Sequence, residues 1–351
     1  MSKRFRYLFT LFISLSVFVV VSTPASAEEF YKGKTLRFIV GYSPGGGYDT
    51  YTRAVARYIG KYIPGNPVPI VQNMTGAGSL IAANYTYNRA KPDGLTLGVW
   101  NSQFVLYQAL GDKKVRIDGR KLNWIGAPVK GGPACGVMGF TGLKTLKDVL
   151  NSKKPIKVGA TRAGSTLNDL PKILNLTLGT KFDIITGYRG TATIRIAMQK
   201  REVEGACFGW ESMRVTARSM LDAKGDDKFI PFLIHNRWSD PEVKDLPLTP
   251  EVIKARKGKE ALDIYNSWVG AYEFQRPVVA PPGVPKERVE ILRKAYKAVM
   301  NDPQFLAESK KSKLAIHYVP AEEIYQHVDR MLSLSPKTKE SLGFLVRRKK
   351  K

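Results

Sequence analysis

Short β-prone runs alternate with amphipathic helical stretches along most of this chain, and that alternation limits its fold more than any other feature. Leu36–Val40 is a β-prone run that gives way to a glycine-rich turn at Gly41–Gly47. Tyr51, Val55, Tyr58, Ile59 and Tyr62 then recur at helical intervals, which predicts a helix with one buried stripe, ended by Pro64-Gly65. Val68–Val71 and Leu95–Trp100 read as strands, with a helix across Ser79–Arg89 between them. Parallel sheet with crossover helices is the expected outcome. The middle third repeats the pattern. A strand is expected near Trp124–Met138, a helix near Leu146–Leu150, a strand at Ile156–Ala160, a helix near Leu167–Leu176 and a strand at Phe182–Thr186. Phe229–Ile234 is strand-like despite Pro231, Leu246–Pro250 is a proline-rich connector, and Ser267–Tyr272 is apolar again. Beyond Pro281 the chain reads as mainly helical, with an amphipathic stretch at Glu287–Met300. A chain of 351 residues exceeds the range over which one core keeps growing, so two lobes are expected.

The first residues point to export. Lys3, Arg4 and Arg6 precede an apolar run from Tyr7 to Val21, followed by Pro24 and the small-residue site Ala25-Ser26-Ala27. That run is about 15 residues, short of the roughly 20 that span a bilayer, so residues 1–27 read as a secretory signal peptide and the remainder as a soluble periplasmic chain. Cleavage there lowers the formal charge of +26 by only three. Such a basic excess suits anionic partners, and export argues against nucleic acid. The run Arg347–Lys351 reads as a solvated tail. Cys135 and Cys207 could form one disulfide in an oxidising compartment, although spacing alone does not bring them together. Two cysteines and three histidines without short ligand spacing do not indicate a zinc site, and nothing calls for a cofactor.

Three loops carry the chemistry. In Gly45-Gly46-Gly47-Tyr48-Asp49, glycines let backbone N–H groups crowd a helix start, whose positive end favours an anion, while Asp49 has the position of a helix cap. No Gly-Lys-Ser/Thr follows, which excludes a phosphate-cradling P-loop. Gly164-Ser165-Thr166-Leu167-Asn168 is a second nest between strand and helix, where Ser165 or Thr166 also has the position of an N-cap. Gly187-Tyr188-Arg189-Gly190 is a third, in which Arg189 would offer a bidentate contact to carboxylate.

The run Leu36–Asp49 (LRFIVGYSPGGGYD), then Val71–Ser79 (VQNMTGAGS), then Lys91–Gly98 (KPDGLTLG), resembles the Bug family of extracytoplasmic receptors, the solute-binding component of tripartite tricarboxylate transporters. The resemblance continues through Gly159–Asn168, Gly187–Gly190, Arg201–Glu204 and Trp268–Pro285. It implies an α/β, two-lobed type II periplasmic-binding-protein fold with the ligand cleft between the lobes. Lobe 1 would comprise 28–127 and 236–351, and lobe 2 would comprise 128–235. It implies a receptor without enzymatic activity that takes a small carboxylate-type solute and presents it to membrane permease subunits. Carried over by position, it nominates Tyr42, Ser43, Gly46, Gly47 and Asp49 from one lobe with Asn101 and Ser102 after the next strand, and Ser165, Thr166, Asn168, Tyr188 and Arg189 from the other.

The chain departs from the family pattern at Met74-Thr75, at Asn168 and at Gly209-Trp210, where the family often has aspartate-asparagine. Trp210 reads either as an aromatic cleft wall or as core. Two other function classes share this scaffold: a sensor that signals closure to a membrane partner, and an exported hydrolase. Against the latter, no histidine stands in a recognised spacing with Ser43, Ser165 or Thr166.

Overall fold

The computed structural model describes residues 30–346 apart from 238 and 239. The signal peptide expected at 1–27 and the basic run at 347–351 lie outside the described residues. The strands in chain order are β1 (Thr35–Val40), β2 (Val68–Asn73), β3 (Thr96–Val99), β4 (Asn123–Ala127), β5 (Pro133–Met138), β6 (Ile156–Gly159), β7 (Phe182–Ile185), β8 (Gly205–Gly209), β9 (Phe229–Ile234), β10 (Val278–Ala280) and β11 (Val319–Pro320). They form two sheets, ordered β11-β4-β10-β3-β1-β2 and β7-β6-β8-β5-β9.

Each sheet has a parallel half, as strand–helix alternation requires: β1 pairs with β2 and β3, and β6 pairs with β7 and β8. Antiparallel strands complete both sheets. The helix after β1 spans Gly47–Ile59 and buries Tyr51, Val55 and Ile59, while Tyr62 falls in the 3-10 turn that follows. Pro231 is accommodated because β9 is an edge strand and shifts register against β5 beside Gly136, so the missing N–H breaks no inner ladder.

The continuous strand expected near Trp124–Met138 is two strands, β4 in the first sheet and β5 in the second. Between them Pro128–Gly132 crosses from lobe to lobe in extended form, and an apolar crossing reads like a strand in sequence. Val129 bridges Gln275 and the Gly131 N–H donates to the Tyr272 carbonyl at 2.7 Å, so the outward crossing is pinned to the return. That return comes after the Thr249–Val269 helix, which packs on the Thr166–Leu178 helix, and the chain rejoins the first sheet at β10. Trp124 contacts Trp100 and Phe274 at ring-centroid distances of 5.8 and 5.7 Å, and Trp268 contacts Tyr265 and Tyr272 at 6.0 and 5.2 Å. These buried rings run beside the crossings and stiffen them.

Cys135 and Cys207 are directly registered partners on β5 and β8 and are joined as a disulfide across 72 residues of sequence. Replacing both with alanine should lower unfolding free energy by about 2–4 kcal/mol, read as a lower urea midpoint. An unchanged midpoint would show that the bond adds nothing to the fold. Just after β9, His235 accepts or donates a 2.9 Å bond with the Tyr265 hydroxyl, and burial pushes its pKa down to about 4. The unfolded chain takes up that proton near 6.5, so it binds more protons than the folded chain between pH 6.5 and 4, and His235 makes stability fall as pH drops. Asp169 acts in the opposite sense, because burial raises its carboxyl to about 6. Comparison of His235→Gln with the parent isolates the histidine: the parent should lose on the order of 2 kcal/mol more between pH 7 and pH 5. Parallel stability curves for the two proteins would contradict this.

Candidate functional site

The loops leaving the carboxyl ends of β1, β3, β6, β7 and β8 all meet between the sheets. There they line a cavity of about 40 Å³ with Tyr42, Gly46, Gly47, Tyr48, Asn101, Ser165, Thr166, Leu167, Thr191, Phe208, Gly209, Glu211 and Ser212, joined by Gln275 and Arg276 from the segment before β10. Ligands of open α/β sheets sit at such strand ends. Three helices, Gly47–Ile59, Thr166–Leu178 and Thr191–Gln199, begin at this cavity. Their N-cap residues, Gly46, Ser165 and Gly190, make no side-chain capping hydrogen bond. The Asn168 N–H donates to the Ser165 carbonyl, but the leading amides of each helix are left to whatever occupies the cleft, and three positive helix ends converge from both lobes.

The glycines of the first loop have separate causes. Gly45 has φ +73°, a left-handed conformation that side chains disfavour. Gly47 is helical, but a Cβ there would overlap the Ser212 hydroxyl of the second lobe and come within 3.1 Å of Arg276 Nη2. A Cβ on Gly190 would sit 2.8 Å from Ser43 Oγ. The lobes thus meet through glycine, and polar contacts tie them: Asn101 Nδ2 donates to the Gly164 carbonyl at 2.7 Å, Arg195 Nη2 to the Gly45 carbonyl at 3.1 Å, and the Tyr107 hydroxyl to Asp169 Oδ1 at 2.9 Å.

Of the residues expected from the sequence, Tyr42, Gly46, Gly47, Asn101, Ser165 and Thr166 line the cavity. Burial pushes the Tyr42 phenol up to about 12, against the pull of Ser79 and Asn101, so it remains a neutral donor. The hydroxyls of Ser165 and Thr166 are engaged by their surroundings. Ser165 accepts from Thr161 and donates to the Arg162 carbonyl, and Thr166 accepts from the Tyr272 hydroxyl. What this loop offers a solute is main-chain N–H.

The structure places the other expected residues away from the cavity. The Asp49 carboxylate lies behind the glycine loop and accepts from the Gly45 N–H, Arg53 and Asn73. Burial alone would raise its pKa, and these bonds hold it below the ordinary value instead. Ser43 packs against Gly190, and the Ser102 hydroxyl donates to the Ala271 carbonyl at the crossing. Asn168 is buried in the first turn of its helix, Tyr188 is half-buried, and Arg189 is exposed. Trp210 is core-like: it is 4% exposed and its indole N–H donates to Asp240 Oδ2 at 2.7 Å, which turns the ring away from the cleft.

Arg276 and Glu211 were not anticipated from sequence. Arg276 Nη2 donates to Glu211 Oε1 at 2.8 Å, with both side chains buried. Burial works against the Arg276 charge, but Glu211 and the rings of Tyr51 and Tyr48 outweigh it and raise its pKa. A single basic residue inside the apolar run Trp268–Ala280 was the available sequence signal. Among the described residues no cluster of histidine, cysteine and carboxylate could hold a metal, and no helix is long and apolar enough to cross a membrane.

No protein-family model and no curated protein matches this chain. Solved structures do. The periplasmic binding protein BugD is similar at 19% identity over 90% of this chain and 98% of its own, with a TM-score of 0.69. MatC from Rhodopseudomonas palustris with bound malate is 20% identical over 88% of this chain and 99% of its own, TM-score 0.67. Another R. palustris protein, solved with adipate, is 15% identical over 88% and 97%, TM-score 0.68. At these identities the likeness establishes the two-lobed periplasmic-binding-protein fold.

Gly47→Ala tests the meeting of the lobes. Alanine suits the first helical turn, so the folded state should keep its stability, while the added methyl obstructs the approach of Ser212. Calorimetric affinity for small carboxylates should fall at least about tenfold, given that a buried overlap of this kind costs on the order of 1–3 kcal/mol. Unchanged affinity would show that the lobes do not need this approach.

Proposed function

We propose that this chain is the receptor of a membrane transport system: it captures a small carboxylate-type solute in the periplasm, closes around it, and presents the closed form to permease subunits of the tripartite tricarboxylate type. The observation that carries this reading is the convergence of three uncapped helix N-termini and a buried arginine on one cavity between two lobes. Such a site favours an anion, and it takes one through main-chain N–H groups of Gly47, Thr166, Leu167 and Thr191. Tyr42 and Asn101 complete the wall. The adipate and malate held by two proteins of the same fold support the choice of carboxylate, and the sequence motifs support the choice of transporter.

The reading is of a binding protein without catalysis. None of His235, His317 and His327 lines the cavity, so Ser165, Thr166 and Ser212 have no imidazole base beside them there. The hinge falls at the paired crossings, Pro128–Gly132 and Tyr272–Arg276, where a few residues absorb the motion between two stiff sheets.

A thermal-shift screen tests the reading on protein that has been unfolded and refolded to strip bound solute. At about 100 times its dissociation constant, the right carboxylate should raise Tm by on the order of 5 °C, because it binds the folded state alone. Amines and neutral sugars of equal size should not. Stabilisation by those controls, with no carboxylate active, would contradict the proposal.

A further inference from the structure

Arg276 does more in the cleft than join two lobes. Its guanidinium is 3% exposed and lies over the rings of Tyr51 and Tyr48 at 4.5 and 5.5 Å. Only Nη2 is engaged, by Glu211, while Nε and Nη1 are buried without a partner. A guanidinium keeps its charge and presents five N–H donors, so leaving two nitrogens dry and unpaired is costly unless an acceptor arrives. The backbone at Arg276 has φ +58°, a strained conformation for a residue with a side chain. That strain is held at the return crossing, where Gln275 is bridged to Val129.

Glu211 is the one carboxylate among the described residues lining this cavity. It opens the helix after β8 in the second lobe, whereas Arg276 precedes β10 of the first, so the pair joins the two lobes. Its Oε2 accepts from the Gly132 N–H at 3.3 Å, which anchors it to the outward crossing. One formal positive and one formal negative charge therefore face the solute together, and the helix ends add further positive potential.

Resting on the receptor reading above, we propose that Arg276 and Glu211 are the specificity-determining pair of the cleft: Arg276 takes the solute's single carboxylate on one of its unpartnered nitrogens, and Glu211 rejects a second carboxylate in favour of a hydrogen-bond donor. Glu211 and Arg276 line the same cavity and are bonded to each other, so a solute held by Arg276 lies beside Glu211. Two like charges about 5 Å apart at an effective dielectric constant of about 20 repel enough to shift affinity on the order of 100-fold. An ammonium, amide or hydroxyl in the same place instead gains a charge-assisted bond.

The test uses matched pairs that differ in that one group: succinate against succinamate, L-aspartate against L-asparagine, and L-glutamate against L-glutamine, titrated calorimetrically into the stripped protein. The monocarboxylate of a pair should bind about 100-fold more tightly than its diacid. In Glu211→Gln the preference should collapse, and in Arg276→Gln both members should lose at least about 100-fold. Because breaking a buried ion pair can unfold a protein, the double variant Arg276→Gln with Glu211→Gln supplies a neutral background, in which discrimination within each pair should again vanish. A parent protein that prefers the diacids, or discrimination that survives in Glu211→Gln or in the double variant, would overturn this inference and leave the receptor reading intact. Binding of no carboxylate from either class would overturn both.

Discussion

A charged group buried between two lobes is stable only if something pairs with it, and the cleft of this protein is organised around that requirement. Arg276 meets it with one hydrogen bond to Glu211 and leaves two nitrogens unpartnered. Around it stand three helix ends whose N-cap residues do nothing to quench their positive dipoles. The cavity therefore has a strong polarity before any solute enters. The carboxylate of Glu211, brought in by the opposite lobe, offsets only part of it.

Topology explains why these groups converge. In a parallel β-α-β unit every strand sends its chain outward at the same end, and the next helix begins there with its positive pole toward the sheet edge. β1, β6 and β7 each do so across short glycine-bearing loops. The two sheets face each other with those ends inward, so donors from both lobes share one small space. The crossings at Pro128–Gly132 and Tyr272–Arg276 are hydrogen-bonded to each other, which couples the position of Arg276 to the hinge.

Much of this was legible in the sequence because glycine turns after β-prone runs mark strand ends, and strand ends make the site. That is why Tyr42, Gly46, Gly47, Asn101, Ser165 and Thr166 could be nominated and are found lining the cavity. Sequence does not show which side of a loop faces inward. Asp49 lies in the first turn of its helix but faces Arg53 and Asn73, and Arg189 stops two residues before Thr191, the residue that reaches the cavity. Trp210 had both readings, and its bond to Asp240, 30 residues away, decides for the core. The pairing of Glu211 with Arg276, 65 residues apart, exists only in the assembled tertiary structure. The single strand expected across Trp124–Met138 shows the same limit, since extended apolar chain is locally alike whether it pairs in one sheet or crosses to another.

The central claim is that main-chain amides of both lobes hold a carboxylate. It is tested most directly by following backbone amide resonances while the stripped protein is titrated with the carboxylate that stabilises it most. The account predicts that the amides of Gly47, Thr166, Leu167 and Thr191 move together and saturate at one dissociation constant. Shifts confined to the Tyr188–Arg189 loop or to one lobe alone would contradict it.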